Sequence, residues 1–246
     1  MKRRSFLIKS SATSLALALT PSLFANYQDQ EIEYSILELM GKADIDLYGK
    51  GYSLRKEAHE AFVEMRKAAY TGGVDLKIVS SFRSFDRQQL IFERKFQKYT
   101  DGGMLPLKAI EKIIEYSTIP GTSRHHWGTD IDVIDGYQKV SGDVLVPSKY
   151  GEGQPFENFK KWMDENAEKF GFHLVYTDHP KRRGFKYEPW HYSYAPISIP
   201  MLETFRSKNL LGIYKTEDFL GSEHFTSGFL RNYIIDNILD INPKLL

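Results

Sequence analysis

Apolar residues recur along the chain with two different periods. Between Ser53 and Ala69 they fall at Leu54, Ala58, Ala61, Phe62, Met65 and Ala69, the spacing that lines one face of a helix, and Gly72-Gly73 ends it. Asp75 to Ser80 (DLKIVS) reads as a strand, followed by a helical run from Phe85 to Lys98. Asp101-Gly102-Gly103 breaks the chain before another helix over Leu107 to Tyr116. Thr129 to Asp135 (TDIDVID) alternates polar and apolar like a half-buried strand, with Asp130 and Asp132 on one face and Ile131 and Val133 on the other. Residues 136–154 are rich in Gly, Ser and Pro and are expected to form a long loop, a lip over a cleft. Pro155 to Phe170 reads as a helix, and Phe172 to Tyr176 and Tyr187 to Tyr194 as strands. Thr216 to Leu246 has helical spacing at Phe229, Leu230, Tyr233, Ile234 and Ile238, and is expected to pack back as a closing helix. Helices and strands without regular alternation imply an α+β fold: a single domain with a small antiparallel sheet flanked by helices.

Composition narrows the chemistry. There is no cysteine in the 246 residues, which excludes disulfides, thiolate metal sites and cysteine nucleophiles. Residues 1–25 carry Lys2, Arg3, Arg4 and Lys9, no acidic residue, an apolar stretch from Ala12 to Leu19, and a cleavage context after Ala25. That pattern predicts an export signal, and the stretch is too short for a spanning helix, which needs about twenty residues. Arg3-Arg4-Ser5-Phe6-Leu7 resembles the twin-arginine motif, whose route carries folded proteins; an ordinary secretory signal and an uncleaved anchor are the alternatives. The expected location is the periplasm or cell envelope, with no stable membrane span after cleavage. Removing those four cations from 33 leaves 29 basic residues against 32 acidic ones, a net of −3. Nucleic acid is therefore not an expected partner, because the one basic cluster, Lys181-Arg182-Arg183, is short. It reads either as a solvated loop or as a rim attracting a carboxylate-bearing peptide or anionic wall polymer.

Two segments hold the side chains that a hydrolytic zinc site needs: Ser123-Arg124-His125-His126-Trp127-Gly128-Thr129-Asp130-Ile131-Asp132 and Glu188-Pro189-Trp190-His191. Catalytic zinc takes three protein ligands and keeps a position for water, whose pKa falls to about 7. A single histidine is more often structural than ligating, but here His125, Asp132 and His191 could supply the set. Spacing alone leaves Asp130 and Asp132 both open, with a slight geometric preference for Asp132. Glu188 is the candidate proton acceptor, provided that a turn near Pro189, or an approach of Glu188 from beside the metal, brings the two together. Arg83 lies at a strand-to-helix corner, where side chains often face a cleft, and Gln88 falls in the first turns of the helix.

On these residues the chain resembles the VanY-type zinc D-alanyl-D-alanine carboxypeptidases, within a wider group that includes L,D-carboxypeptidases and D,D-dipeptidases. Ser123, His125, Gly128 and Asp132 fit that family's Ser-x-His-x-x-Gly-x-x-x-Asp pattern, Glu188 and His191 its Glu-x-x-His, and Ser80 to Gln88 an upstream segment carrying Arg and Gln. The matches span residues 54–194. The resemblance implies one zinc per chain on His125, Asp132 and His191, with Glu188 as general base and then acid. It further implies Arg83 as oxyanion stabiliser, and Ser123 and Gln88 as contacts to the substrate, a peptidoglycan stem peptide losing its terminal D-alanine. Cleavage by an L,D-carboxypeptidase or an endopeptidase of the same group is the alternative, as is a non-catalytic zinc-containing wall-peptide binder. Two departures stand out: Asp130 replaces a usually small residue, adding negative charge near the metal, and Ser193 replaces a frequent Arg. The expected organisation is an export signal (1–25), a lead-in (26–50), the catalytic domain (51–200) and a C-terminal helical extension (201–246).

Overall fold

Four short strands form the sheet: β1 (Leu76–Ser80), β2 (Asp130–Asp135), β3 (Phe172–Leu174) and β4 (His191–Tyr194), in the order β1-β2-β4-β3 with every neighbouring pair antiparallel. The computed structural model describes residues 34–214 and 217–246, so the expected export signal lies outside the described residues. Eight α-helices appear among those residues: α1 (Ile36–Leu39), α2 (Lys56–Thr71), α3 (Phe85–Asp101), α4 (Pro106–Ile113), α5 (Glu157–Asn166), α6 (Ala195–Ser207), α7 (Leu210–Tyr214) and α8 (Ser227–Tyr233). None is long and apolar enough to cross a membrane.

The alternation in β2 divides the interior. Ile131 and Val133 join Ala58, Phe62, Met65 and Ala69 of α2 and Phe159 and Met163 of α5 in one buried cluster. A second cluster joins Phe92 and Phe96 of α3 to Ala109, Ile110 and Ile113 of α4, to α6, and to the C-terminal segment. Phe62 has no exposed surface. Its replacement by alanine is expected to cost about 3–5 kcal/mol, read as a shifted midpoint in denaturant unfolding.

Several boundaries differ from the periodicity, the strand from Phe172 ending at Leu174 and the helix expected to Tyr116 at Ile113 among them. Pairing in the last strand begins at His191 rather than Tyr187, because Glu188 to His191 form a turn closed by the His191 N–H donating to the Glu188 carbonyl (3.0 Å). The helix expected to Phe170 ends at Asn166 and tightens into a 3-10 turn, Ala167–Phe170, stopped by Gly171 at φ 78°. The tail is not one helix: α8 runs into a π-helical turn, Ile234–Ile238, and the other described residues form loops with 3-10 turns at Ser222–His224 and Pro243–Leu245. It nevertheless packs back, burying Leu230, Tyr233, Ile238, Ile241 and Leu245. Arg182 ties it down, donating to the carbonyls of Asp240, Thr177 and Phe185 (2.7–3.0 Å), so the middle of the basic cluster is a structural link while Arg183 stays exposed.

Candidate active site

Strand register brings the polar residues together before any side chain chooses a rotamer. In the β2–β4 pair Asp132 lies opposite His191 and Asp130 opposite Ser193, and in the β1–β2 pair Asp132 faces Ser80. Directly opposed residues put their Cβ atoms about 4.5–5.5 Å apart on the same face. His125 arrives from the other side on a buried 3-10 turn, Arg124–Trp127, where the Ser123 hydroxyl caps the start by accepting from the His125 N–H. Gly128 ends that turn at φ 69°, a left-handed conformation that glycine adopts without strain, and its carbonyl accepts from the Arg55 N–H.

The strand-to-helix corner is pinned to this turn by three bonds. The Arg83 N–H donates to the His125 carbonyl (3.0 Å), His125 Nδ1 donates to the Ser81 carbonyl (2.8 Å), and His126 Nδ1 donates to the Arg83 carbonyl (2.5 Å). Since a carbonyl only accepts, His125 keeps its Nε2 lone pair, which faces Asp132 Oδ2 at 3.4 Å. His126 is fully buried with its Nε2 accepting from Gly121 N–H, and burial pushes its pKa down to about 3. Sequence reasoning passed over His126; its place beside a candidate ligand on the same turn was the available signal.

His191, Asp132 and His125 each offer a ligand atom, and those atoms lie within 4.8 Å of one another. Asp132 Oδ1 is buried without a hydrogen-bond partner, which is costly for a carboxylate unless a cation sits beside it. Burial alone would raise the Asp132 pKa, but His125 and His191 hold it below the ordinary carboxylate value. Two imidazoles and one carboxylate oxygen are the donor set of an open zinc site, so the residues fit such an ion. Glu188 Oε2 lies 2.9 Å from His191 Nδ1, delivered there by the Pro189 turn. Burial holds the Glu188 carboxyl above the usual range, against the opposing pull of its hydrogen bond to His191.

Asp130 has a different setting. Its Oδ2 accepts from His191 Nε2 (2.9 Å) and Arg124 Nε (3.0 Å), and its Oδ1 from the hydroxyls of Ser193 (2.6 Å) and Thr129 (2.8 Å). Burial would raise its pKa, but the Arg124 guanidinium and the His191 ring hold it well below the carboxylate range. The two departures seen in the sequence are therefore one network, in which Arg124 balances the added charge and Ser193 is a donor to it. Arg124 also donates from Nη2 to Ser193 Oγ (2.7 Å) and stacks over Trp127.

A cleft of about 470 Å³ opens onto these groups, walled by Arg83, Lys95, Ser123, Glu188 and Trp190 and, from the 136–154 loop, by Asp143 and Leu145 to Pro147. The loop forms the expected lip. Arg83 is half-buried and fixed by donating Nη1 to Gln88 Oε1 (2.7 Å) and Nη2 to Ser80 Oγ (3.0 Å). Gln88, expected to touch substrate, has no exposed surface and is not on the cleft wall. Its carboxamide is taken up by Arg83, the Thr118 carbonyl and Ser117, which places it behind the arginine.

The chain and its fold have relatives among known proteins. The chain is 29% identical over 185 residues to a D-alanyl-D-alanine carboxypeptidase of Enterococcus faecium, covering 74% of this chain and 48% of that protein. It thus spans about half the length of that relative. The fold is similar to that of VanYB in complex with D-Alanine-D-Alanine (TM-score 0.51, 24% identity, 72% of this chain and 92% of that one). It is also similar to that of a vancomycin-resistance D,D-pentapeptidase VanY variant in complex with Zn(II) (TM-score 0.50, 23% identity, 67% and 85% covered). The model of the family described as VanY, D-alanyl-D-alanine carboxypeptidase, matches residues 51–197, which include every candidate site residue named above. With more than half of its length matched, the chain belongs to the VanY D-alanyl-D-alanine carboxypeptidase family.

Proposed function

We propose that the protein is a zinc-dependent D-alanyl-D-alanine carboxypeptidase that removes the terminal D-alanine from peptidoglycan stem peptides. The observation that carries this reading is the convergence of the His125, Asp132 and His191 ligand atoms beside the buried Glu188 at the floor of an open cleft. His125 through Nε2, His191 through Nδ1 and the unpartnered Asp132 carboxylate would hold the ion. When bound there, zinc supplies an activated water and a Lewis acid for the scissile carbonyl.

The protein's own groups do the rest. Glu188 takes the water proton and returns it to the departing amine, a task suited to a carboxyl whose pKa is raised by burial. Arg83, held at the cleft wall by Gln88 and Ser80, donates to the oxygen that becomes negative. Ser123, at the cleft wall beside the histidine turn, would meet the substrate backbone. A carboxypeptidase must also recognise a free carboxylate. Lys95, one turn beyond Ile91 on α3, lines the same cleft without a hydrogen bond or ion pair among the described residues, its pKa lowered by burial and by the nearby Arg83. A half-buried ammonium in that position favours an anionic group. Replacing it by methionine is expected to cut the preference for a free C-terminal acid over the corresponding amide about tenfold, read as the ratio of kcat/KM for the two peptides.

The family's substrate lies outside the cytoplasm, and the signal-like residues 1–25 support export to the periplasm or cell envelope. Mass spectrometry of pentapeptide and tetrapeptide muropeptides after incubation tests the reading. Loss of one alanine from the pentapeptide alone is expected; loss from the tetrapeptide alone, or cleavage of cross-links, would overturn the D,D assignment.

A further inference from the structure

The Asp130 network has no role in the proton transfers above, yet it is among the most buried polar structures in the protein. Asp130 and Ser193 have no exposed surface and Arg124 is 3% exposed. An ionised carboxylate offers about four lone-pair positions, and Asp130 fills them with Arg124 Nε, His191 Nε2 and the hydroxyls of Ser193 and Thr129. It has no lone pair left for a metal, unlike Asp132, whose Oδ1 is unpartnered. Each group around Asp130 is a donor, so His191 must present an N–H from Nε2.

The consequence falls on the other ring nitrogen. With Nε2 protonated and tied to a fixed carboxylate, His191 carries its ligating lone pair on Nδ1, the nitrogen that faces Asp132 Oδ1 (3.6 Å) and Glu188 (2.9 Å). The ring cannot flip without breaking the 2.9 Å bond to Asp130, and Asp130 cannot move without breaking the buried Arg124 and Ser193 bonds. Tyr176 closes the remaining side, its ring edge-on to His191 with centroids 5.0 Å apart.

We infer that Asp130 is a positioning residue for the metal site: clamped by Arg124, Ser193 and Thr129, it fixes the tautomer and orientation of His191 and so raises the protein's affinity for zinc. The inference rests on the proposed metal site, but its readout is the affinity itself, measured whether or not any muropeptide is cleaved. Outer carboxylates of this kind typically contribute about 10–100-fold to metal affinity.

Asp130→Ala would strand Arg124 in the interior, so the test uses Asp130→Asn, which keeps the shape, and Ser193→Ala, which loosens the clamp from outside. Zinc dissociation constants of the full chain are measured by competition with a chromogenic chelator, alongside the thermal midpoint of the metal-free protein. Asp130→Asn is expected to weaken zinc binding about 10–100-fold, with a smaller loss in Ser193→Ala. In a His191→Ala background Asp130→Asn is expected to have no further effect on zinc, since it acts only through that ring. Nitrogen-15 NMR of the zinc-loaded wild-type protein is expected to show His191 protonated at Nε2. Zinc affinity within about twofold of wild type in a folded Asp130→Asn protein, or an equal loss with His191 absent, would overturn the inference.

Discussion

Replacing Glu188 with alanine is expected to lower kcat on a pentapeptide substrate by about 10²–10⁴-fold while zinc stays bound. The size follows from the step that is lost. Of the carboxylates that line the cleft, Asp132 is among the three ligand positions and Asp143 sits on the loop, whereas Glu188 lies 2.9 Å from His191 Nδ1 without being one of the three. Its backbone is fixed by the turn that closes on His191 and by its own N–H donating to the Tyr176 carbonyl (3.1 Å), so alanine removes the carboxyl without moving the strand. KM is expected to change little, because the carboxyl acts on a proton that moves only in the transition state. Steady-state kinetics with parallel metal analysis separate this from ligand loss: activity above a tenth of wild type would contradict the base assignment, while loss of zinc with activity would make Glu188 a ligand.

The second large effect belongs to Arg83. Arg83→Met is expected to cost about 10²–10³-fold in kcat, equivalent to about 2.7–4 kcal/mol of transition-state stabilisation. Methionine preserves much of the side-chain volume and keeps the backbone bonds to His125 and His126, so the corner itself should hold. What disappears is a guanidinium preorganised by Gln88 and Ser80, and with it the donor to the developing oxyanion. If the principal change is in KM with kcat intact, Arg83 binds the ground state and the oxyanion role falls to another group.

Much of the site was legible because it depends on local pattern. The alternation Asp130-Ile131-Asp132-Val133 placed both aspartates on one face, and the structure buries Ile131 and Val133 on the other. The three-residue offset between Glu188 and His191 called for a turn near Pro189 or an approach from beside the metal, and a turn is present. What the pattern could not separate was Asp130 from Asp132. That distinction comes from strand register, which sets Ser193 against Asp130 across 63 residues of sequence, and from Arg124 reaching back six residues from the turn. Both contacts are invisible to periodicity, so an added charge looked like a perturbation of the metal when it is a neutralised part of the frame. The burial of Gln88 was hidden for a related reason: a polar residue in the first turns of a helix reads as solvated, and only the packing of α3 on the segment before the histidine turn buries it. The C-terminal segment kept its apolar spacing but not a continuous helix; its Tyr233 hydroxyl accepts from the Ile119 N–H, its Asp240 carbonyl accepts from Arg182, and its Asn242 side chain donates to the Leu174 carbonyl, contacts far away in sequence that periodicity does not show.

Metal content tests the central claim most directly. Inductively coupled plasma mass spectrometry of the purified, folded protein is expected to find about one zinc per chain, as the three-ligand set requires. Asp132→Ala, which removes the ligand with the unpartnered oxygen, is expected to retain less than about a tenth of that zinc after dialysis, as a two-ligand remnant of such a site would. A wild-type protein with no stoichiometric metal, or an Asp132→Ala protein that keeps its full complement, would contradict it.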